Sequence, residues 1–147
     1  MRTVLVHLQG TTEVQIENYF GRTYPNQKGP PWICPIGEDP CLYINIYRDI
    51  QGEFEPEDIS NLQQELGGSP TVSVRADVSG RHPGDEQVRD FVLKILSEFQ
   101  GVAQDDFTEG FWTEDDIRLD RRKTSSVSAN RDERTFFDYR SRKQPEN

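Results

Sequence analysis

Apolar residues recur along this chain at every second position in some stretches and at every third or fourth in others. The switches between the two spacings mark out the elements. Residues 3–8 (TVLVHL) form a compact run rich in β-branched side chains, which predicts a buried strand. Thr12 and Gln15 have the spacing of a capping box, and Ile16, Tyr19 and Phe20 follow at helical intervals, so a short helix is expected to end at Gly21. Residues 22–31 (RTYPNQKGPP) read as a loop, by their proline and glycine content. Residues 32–36 (WICPI) are short and carry Pro35, which suits an edge strand hairpinned to residues 41–47. In that second run Leu42, Ile44 and Ile46 share one face.

Pro56, among Glu55, Glu57 and Asp58, suits a helix first turn; Ile59, Leu62 and Leu66 form its stripe, and Gly67-Gly68 its stop. Residues 71–78 alternate cleanly, with Val72, Val74, Ala76 and Val78 inward. In residues 85–99 the positions of Val88, Phe91, Val92, Ile95, Leu96 and Phe99 trace the core face of an amphipathic helix. A last strand is expected at 102–106. Thr113 and Asp116 resemble a capping box with Trp112 and Ile117 at the staple positions, predicting a short helix that docks Trp112.

The resulting order is strand, helix, edge strand, strand, helix, strand, helix, strand. Its first six elements read βαββαβ, the ferredoxin-like order, with an added αβ unit. Alternation in the middle strands predicts an α+β fold with a mixed or antiparallel sheet and helices mainly on one face. The domain is expected to span residues 1–119. Residues 120–147 read as a disordered basic tail whose only large apolar anchors are Phe136, Phe137 and Tyr139.

Charge sharpens this division. Residues 1–117 carry 8 Lys/Arg against 21 Asp/Glu, a net of −13, whereas residues 118–147 carry 9 against 5, a net of +4. An acidic body repels phosphate backbones and anionic lipid, which argues against nucleic-acid or membrane binding through it and favours a basic protein partner. The N-terminal apolar run is too short for a signal segment and no stretch approaches a membrane span, so a cytoplasmic location is expected. Two cysteines, Cys34 and Cys41, are too few for a disulfide scaffold and read as small buried hydrophobes. No cofactor motif is present.

Three places hold candidate chemistry. The loop with Gly80, Arg81 and His82 joins a strand to a helix start, where backbone N–H groups can take an anion; a plain strand-to-helix turn explains it as well. Asp77, Asp105 and Asp106 are expected near strand ends, and with His82 would suit a hard divalent cation and a metal-assisted hydrolase. No recognised metal-binding spacing accompanies them. Tyr43, Asn45, Tyr47, Ser73, Arg75 and Asp77, with His7 beside them, fall on the outward face of the middle strands. They would form an aromatic and polar platform for a protein or planar ligand, unless an added element, the tail or a second copy covers it.

Residues 76–85 (ADVSGRHPGD), 101–107 (GVAQDDF) and 111–113 (FWT) resemble segments of small bacterial proteins without assigned activity, a likeness spanning residues 40 to 117. In size and charge the chain is also similar to immunity proteins that neutralise toxins. The strongly acidic body without an assembled catalytic set favours a non-enzymatic module that binds a basic protein.

Overall fold

The computed structural model describes residues 2–126 and 132–138. β1 (Arg2–Gln9) leads through the Thr12–Gln15 capping box into α1 (Glu13–Thr23), two residues longer than Gly21 suggests. β2 (Trp32–Ile36) and β3 (Asp39–Tyr47) form the expected hairpin. Only Gly37 and Glu38 separate the strands, which sets Ile36 opposite Asp39, and a register shift at Cys34/Pro35 then sets Cys34 opposite Leu42. A short α2 (Ile50–Glu53), which the sequence pattern does not predict, precedes α3 (Pro56–Leu66), closed by Gly67 in the left-handed conformation at φ 77°. β4 (Val72–Val78), α4 (Asp85–Glu98) and β5 (Gln100–Asp105) follow, then α5 (Glu114–Arg118), whose capping box is complete.

The fold is α+β. Its sheet has the order β2-β3-β4-β1-β5, with all four pairings antiparallel. β4 and β5 run in the same direction with β1 between them, so β4–α4–β5 is one split βαβ unit. A ferredoxin-like sheet needs two such units. Here β4 lies between β3 and β1, which leaves β1 and β2 running in opposite directions. Apart from α2, the order of elements along the chain through β5 matches the expectation; their order across the sheet is not the ferredoxin-like one. Alternation tells a strand which face to bury and not which neighbour to pair with.

Val4, Val6, Leu8, Ile44, Val74 and Ala76 turn one sheet face toward α1 and α4, where Ile16, Phe20, Phe91, Val92 and Ile95 complete the main core. A second, smaller cluster of Leu62, Leu66, Val102 and Phe111 lies on the opposite face, because Val102 pairs with His7 across β1 and β5. Helices therefore lie on both faces, although α3 covers only part of the second. At the β2 edge the Gln27 carboxamide imitates a neighbouring strand. It accepts from Ile33 N at 2.6 Å and donates to Ile33 O at 2.9 Å. With Pro35 lacking an N–H, this edge is poorly suited to adding another strand.

The tail departs from expectation. β6 (Lys123–Thr124) and β7 (Glu133–Arg134) pair with each other, Ser125 bridges Thr108, and Phe137 is 1% exposed. The domain thus extends beyond residue 119 to at least Asp138. Residues 127–131 and 139–147, including the anchor expected at Tyr139, lie outside the described residues. Basic side chains tie the segment down locally: Arg121 and Lys123 meet the Asp116 carboxylate at 2.9 and 3.4 Å. Burial acts to raise the Asp116 pKa, but the Thr113 N–H and these cations outweigh it and hold it below the ordinary carboxylate value.

Gly101 gives a sharp test of the β1–β5 seam. A Cβ there would lie 2.3 Å from the His7 carbonyl oxygen, a backbone atom that cannot swing aside. Gly101→Ala is expected to lower stability by about 1–3 kcal/mol, measured by urea unfolding.

Candidate functional site

The second face of the sheet divides in two. Under α2 and α3, His7 and Ser73 are buried at 0% and 3% exposure. Beyond their cover, Leu5, Tyr43, Asn45, Tyr47, Arg75 and Asp77 remain half-buried and reachable from solvent. These residues share the second face, as alternation predicts, and one half of that face is roofed. Its cross-strand pairs are Tyr43 with Asp77, Asn45 with Arg75, and Tyr47 with Ser73.

The open half is wired by polar contacts. Arg75 Nε donates to both Asp77 oxygens, at 3.0 and 3.3 Å, and Thr3 Oγ1 donates to Asp77 Oδ1 at 2.7 Å. The Tyr47 hydroxyl donates to the Glu53 carboxylate at the end of α2. Partial burial, that hydrogen bond and the nearby negative charge push the Tyr47 pKa up to about 12. Thr3, Leu5, Tyr47, Glu53, Phe54, Arg75, Gln104 and Asp106 together enclose a shallow hollow of about 250 Å³.

The roofed half is a small buried polar network. His7 Nδ1 lies 2.8 Å from Ser73 Oγ, and Nε2 lies 3.1 Å from Gln104 Oε1. With Gln104 Oε1 as acceptor, Nε2 carries the proton and Nδ1 accepts from Ser73. The ring meets Phe54 and Phe111 edge-on, with centroids 5.8 and 6.0 Å away. Burial lowers the His7 pKa to about 4, offset in part by the Gln104 hydrogen bond, so the ring is neutral at pH 7. Alternation alone puts His7 only beside the platform. Its role as the centre of a network depends on α2 and α3 closing over it.

The three aspartates are not brought to one centre. Asp77 belongs to the second face, and the Asp106 carboxylate accepts from Thr3 N at 3.2 Å nearby. Asp105 pairs with Val4 in register and faces the main core. It accepts from the N–H groups of Phe107, Thr108 and Phe137 and from the Thr108 hydroxyl, at 2.7–3.1 Å. It acts as a structural staple: one residue further along the strand reverses the face, which places it opposite Asp77. His82 is held elsewhere. Among the described residues no group of three His, Cys, Asp or Glu is placed to hold a metal ion.

The loop with Gly80, Arg81 and His82 holds an anion of its own. Asp39 from the β2–β3 hairpin pairs with Arg81 at 3.2 Å and with His82 Nε2 at 2.7 Å. The loop's carbonyls at Ser79, His82 and Pro83 accept from the Arg2 guanidinium, which clamps the turn. Both cysteines sit against apolar surroundings, and burial pushes their thiol pKa values up.

Residues 49–65, whose Glu53 meets Tyr47 at the edge of the open half, form an acidic stretch. This stretch has six acidic residues and no Lys or Arg. All six (Asp49, Glu53, Glu55, Glu57, Asp58 and Glu65) are exposed. Asp58 and Glu65 border a second hollow, of about 480 Å³, that reaches Gln104 and Phe111. No helix among the described residues is long and apolar enough to cross a membrane. In comparisons with known proteins, no family model, curated protein or solved structure matches this chain.

Proposed function

We propose that this domain is a protein-binding module that engages a basic partner on the open half of the sheet and the acidic stretch of residues 49–65. One observation carries the reading: a half-covered sheet face bearing Leu5, Tyr43 and Tyr47 adjoins residues 49–65, a stretch with six exposed carboxylates and no Lys or Arg, whose Glu53 reaches the face at Tyr47. Aromatic side chains with a polar handle supply contact area at modest entropic cost, and the surrounding negative potential steers a cationic surface onto them. The acidic residues of the α3 first turn also favour the positive end of its dipole, but that accounts only for Glu57 and Asp58. Neutralisation of a basic toxin by an immunity-like protein is the specific form this reading takes. Asp105 is committed to four hydrogen bonds on the other face, so a metal-assisted hydrolase built on the three aspartates is not carried further.

The test is capture of partners on immobilised full-length protein at 50 and 500 mM salt. Partners are expected at low salt and to be lost at high salt. The triple variant Glu57→Gln, Asp58→Asn, Glu65→Gln should bind them roughly tenfold more weakly at low salt, while Tyr43→Ala should weaken binding at both. Capture indifferent to salt and to the triple variant, or no specific capture at low salt, would overturn the reading.

A further inference from the structure

We propose that α2 and α3 form a cover that a proton opens: adding one to the His7 ring releases residues 50–66 from the sheet while the layer of α1 and α4 stays packed. This stands whether or not a basic partner binds the open half. It begins from how lightly the cover is held. α3 buries only Leu62 and Leu66, and these join Val102 and Phe111 in a cluster separate from the main core. Hollows of about 400, 480 and 250 Å³ border the cover, and one of them reaches Ser73 beneath it. Segments with few buried apolar contacts open at lower free energy than the whole domain.

His7 lies at the centre of that contact. Facing the ring are Ser73 from β4, Gln104 from β5, Phe54 between α2 and α3, and Phe111 from the following loop, none of them charged. Charged groups on the surrounding elements have partners of their own or are exposed: Glu13 and Arg48, which border the hollow reaching Ser73, pair with each other. Glu53 bonds to Tyr47, Arg75 pairs with Asp77, and Asp58 and Glu65 are exposed on α3. Asp106 bonds to Thr3 N, and Asp105 faces the main core. Among the described residues no carboxylate bonds to this ring, so an imidazolium here would lack a paired countercharge, and its Nδ1–H would compete with the Ser73 proton now donated to that nitrogen. Hydrating it by lifting the small cluster disrupts less apolar packing than breaking the sheet or the main core.

Hydrogen exchange of the full chain, followed by mass spectrometry and corrected for intrinsic rates, tests this at pH 7.0 and 4.5. With His7 titrating near 4 when covered and near 6.5 when exposed, linkage raises the open-to-closed ratio by roughly fiftyfold over that interval. Peptides covering 50–66 should lose protection by about that factor while β1, β4 and α4 keep theirs. His7→Gln should remove most of the pH response. Glu53→Gln, which removes the charged tie to Tyr47, should leave it in place. A His7 ring proton followed by NMR should titrate together with the loss of protection, which keeps the test independent of any variant's folding. Retained protection of 50–66 at pH 4.5, or its loss only together with β1, β4 and α4, would overturn the proposal. So would an undiminished pH response in His7→Gln.

Discussion

Phe137→Ala is expected to lower the unfolding free energy by about 3–5 kcal/mol, measured by urea denaturation followed through tryptophan fluorescence. Phe137 is 1% exposed and packs with Phe107 and Phe136, at centroid distances of 5.4 and 6.3 Å. Phe136 in turn meets Trp112 at 5.5 Å, and Trp112 is fully buried with its indole N–H on Thr108 Oγ1. Removing the Phe137 ring leaves a cavity walled by aromatic groups that cannot all move in, so the larger end of that range is expected.

The backbone at this residue adds a second argument. Phe137 has φ 55°, a left-handed conformation that a bulky side chain rarely adopts. It is held there by the buried ring and by its N–H, which donates to Asp105 Oδ2 at 2.7 Å. Deleting residues 120–147 should therefore do more than Phe137→Ala alone. It removes the ring, the Asp105 donor and the cations on Asp116 together, and the truncated chain should lose its sharp cooperative transition. A truncated domain unfolding at the same urea concentration as the full chain would show that the docked segment contributes nothing.

Acid is expected to weaken the domain as His7 takes up a proton. Burial leaves His7 with a pKa of about 4 in the folded state against about 6.5 unfolded, so between these values the unfolded chain binds the extra proton. Stability from this group is complete above pH 6.5 and is lost as the pH falls toward 4. The loss reaches about 3 kcal/mol if the ring stays covered. Where the cover opens first, His7 titrates in the opened form and the slope flattens, so the flattening point reports the free energy of opening. Urea midpoints at half-unit intervals from pH 7.5 to 4 measure both. His7→Gln should be nearly level from pH 7 to 5, and an unchanged slope in that variant would assign the acid response to other groups.

Much of the fold was legible because periodicity and end signals agree. α4 shows apolar residues on one face over four turns, and β4 alternates without interruption. The capping boxes at Thr12 and Thr113 form because a hydroxyl three residues before a carboxyl or carboxamide satisfies two N–H groups locally. The docking of the tail is hidden from local pattern for an equally local reason. Phe136 and Phe137 stand as an isolated pair in a basic, polar stretch, and no period announces that Asp105 and Trp112 wait for them. α2 has four residues, too few for a period to be visible.

The candidate site divides along the same line. By itself the sequence determined the strands, the main helices, the face each turns inward, and the outward set Tyr43, Asn45, Tyr47, Arg75 and Asp77 with an acidic stretch elsewhere in the chain. These follow from contacts between residues a few positions apart, which a period of two or 3.6 records. Tertiary structure alone decided that β4 lies between β3 and β1, that Asp105 faces away from Asp77, and that Asp39 occupies the Arg81–His82 loop. It also decided that α2 and α3 roof His7 while leaving the tyrosines open. Each of those is a pairing between distant segments, chosen by which apolar surfaces and unsatisfied polar groups meet when the chain closes, and no local pattern encodes that choice.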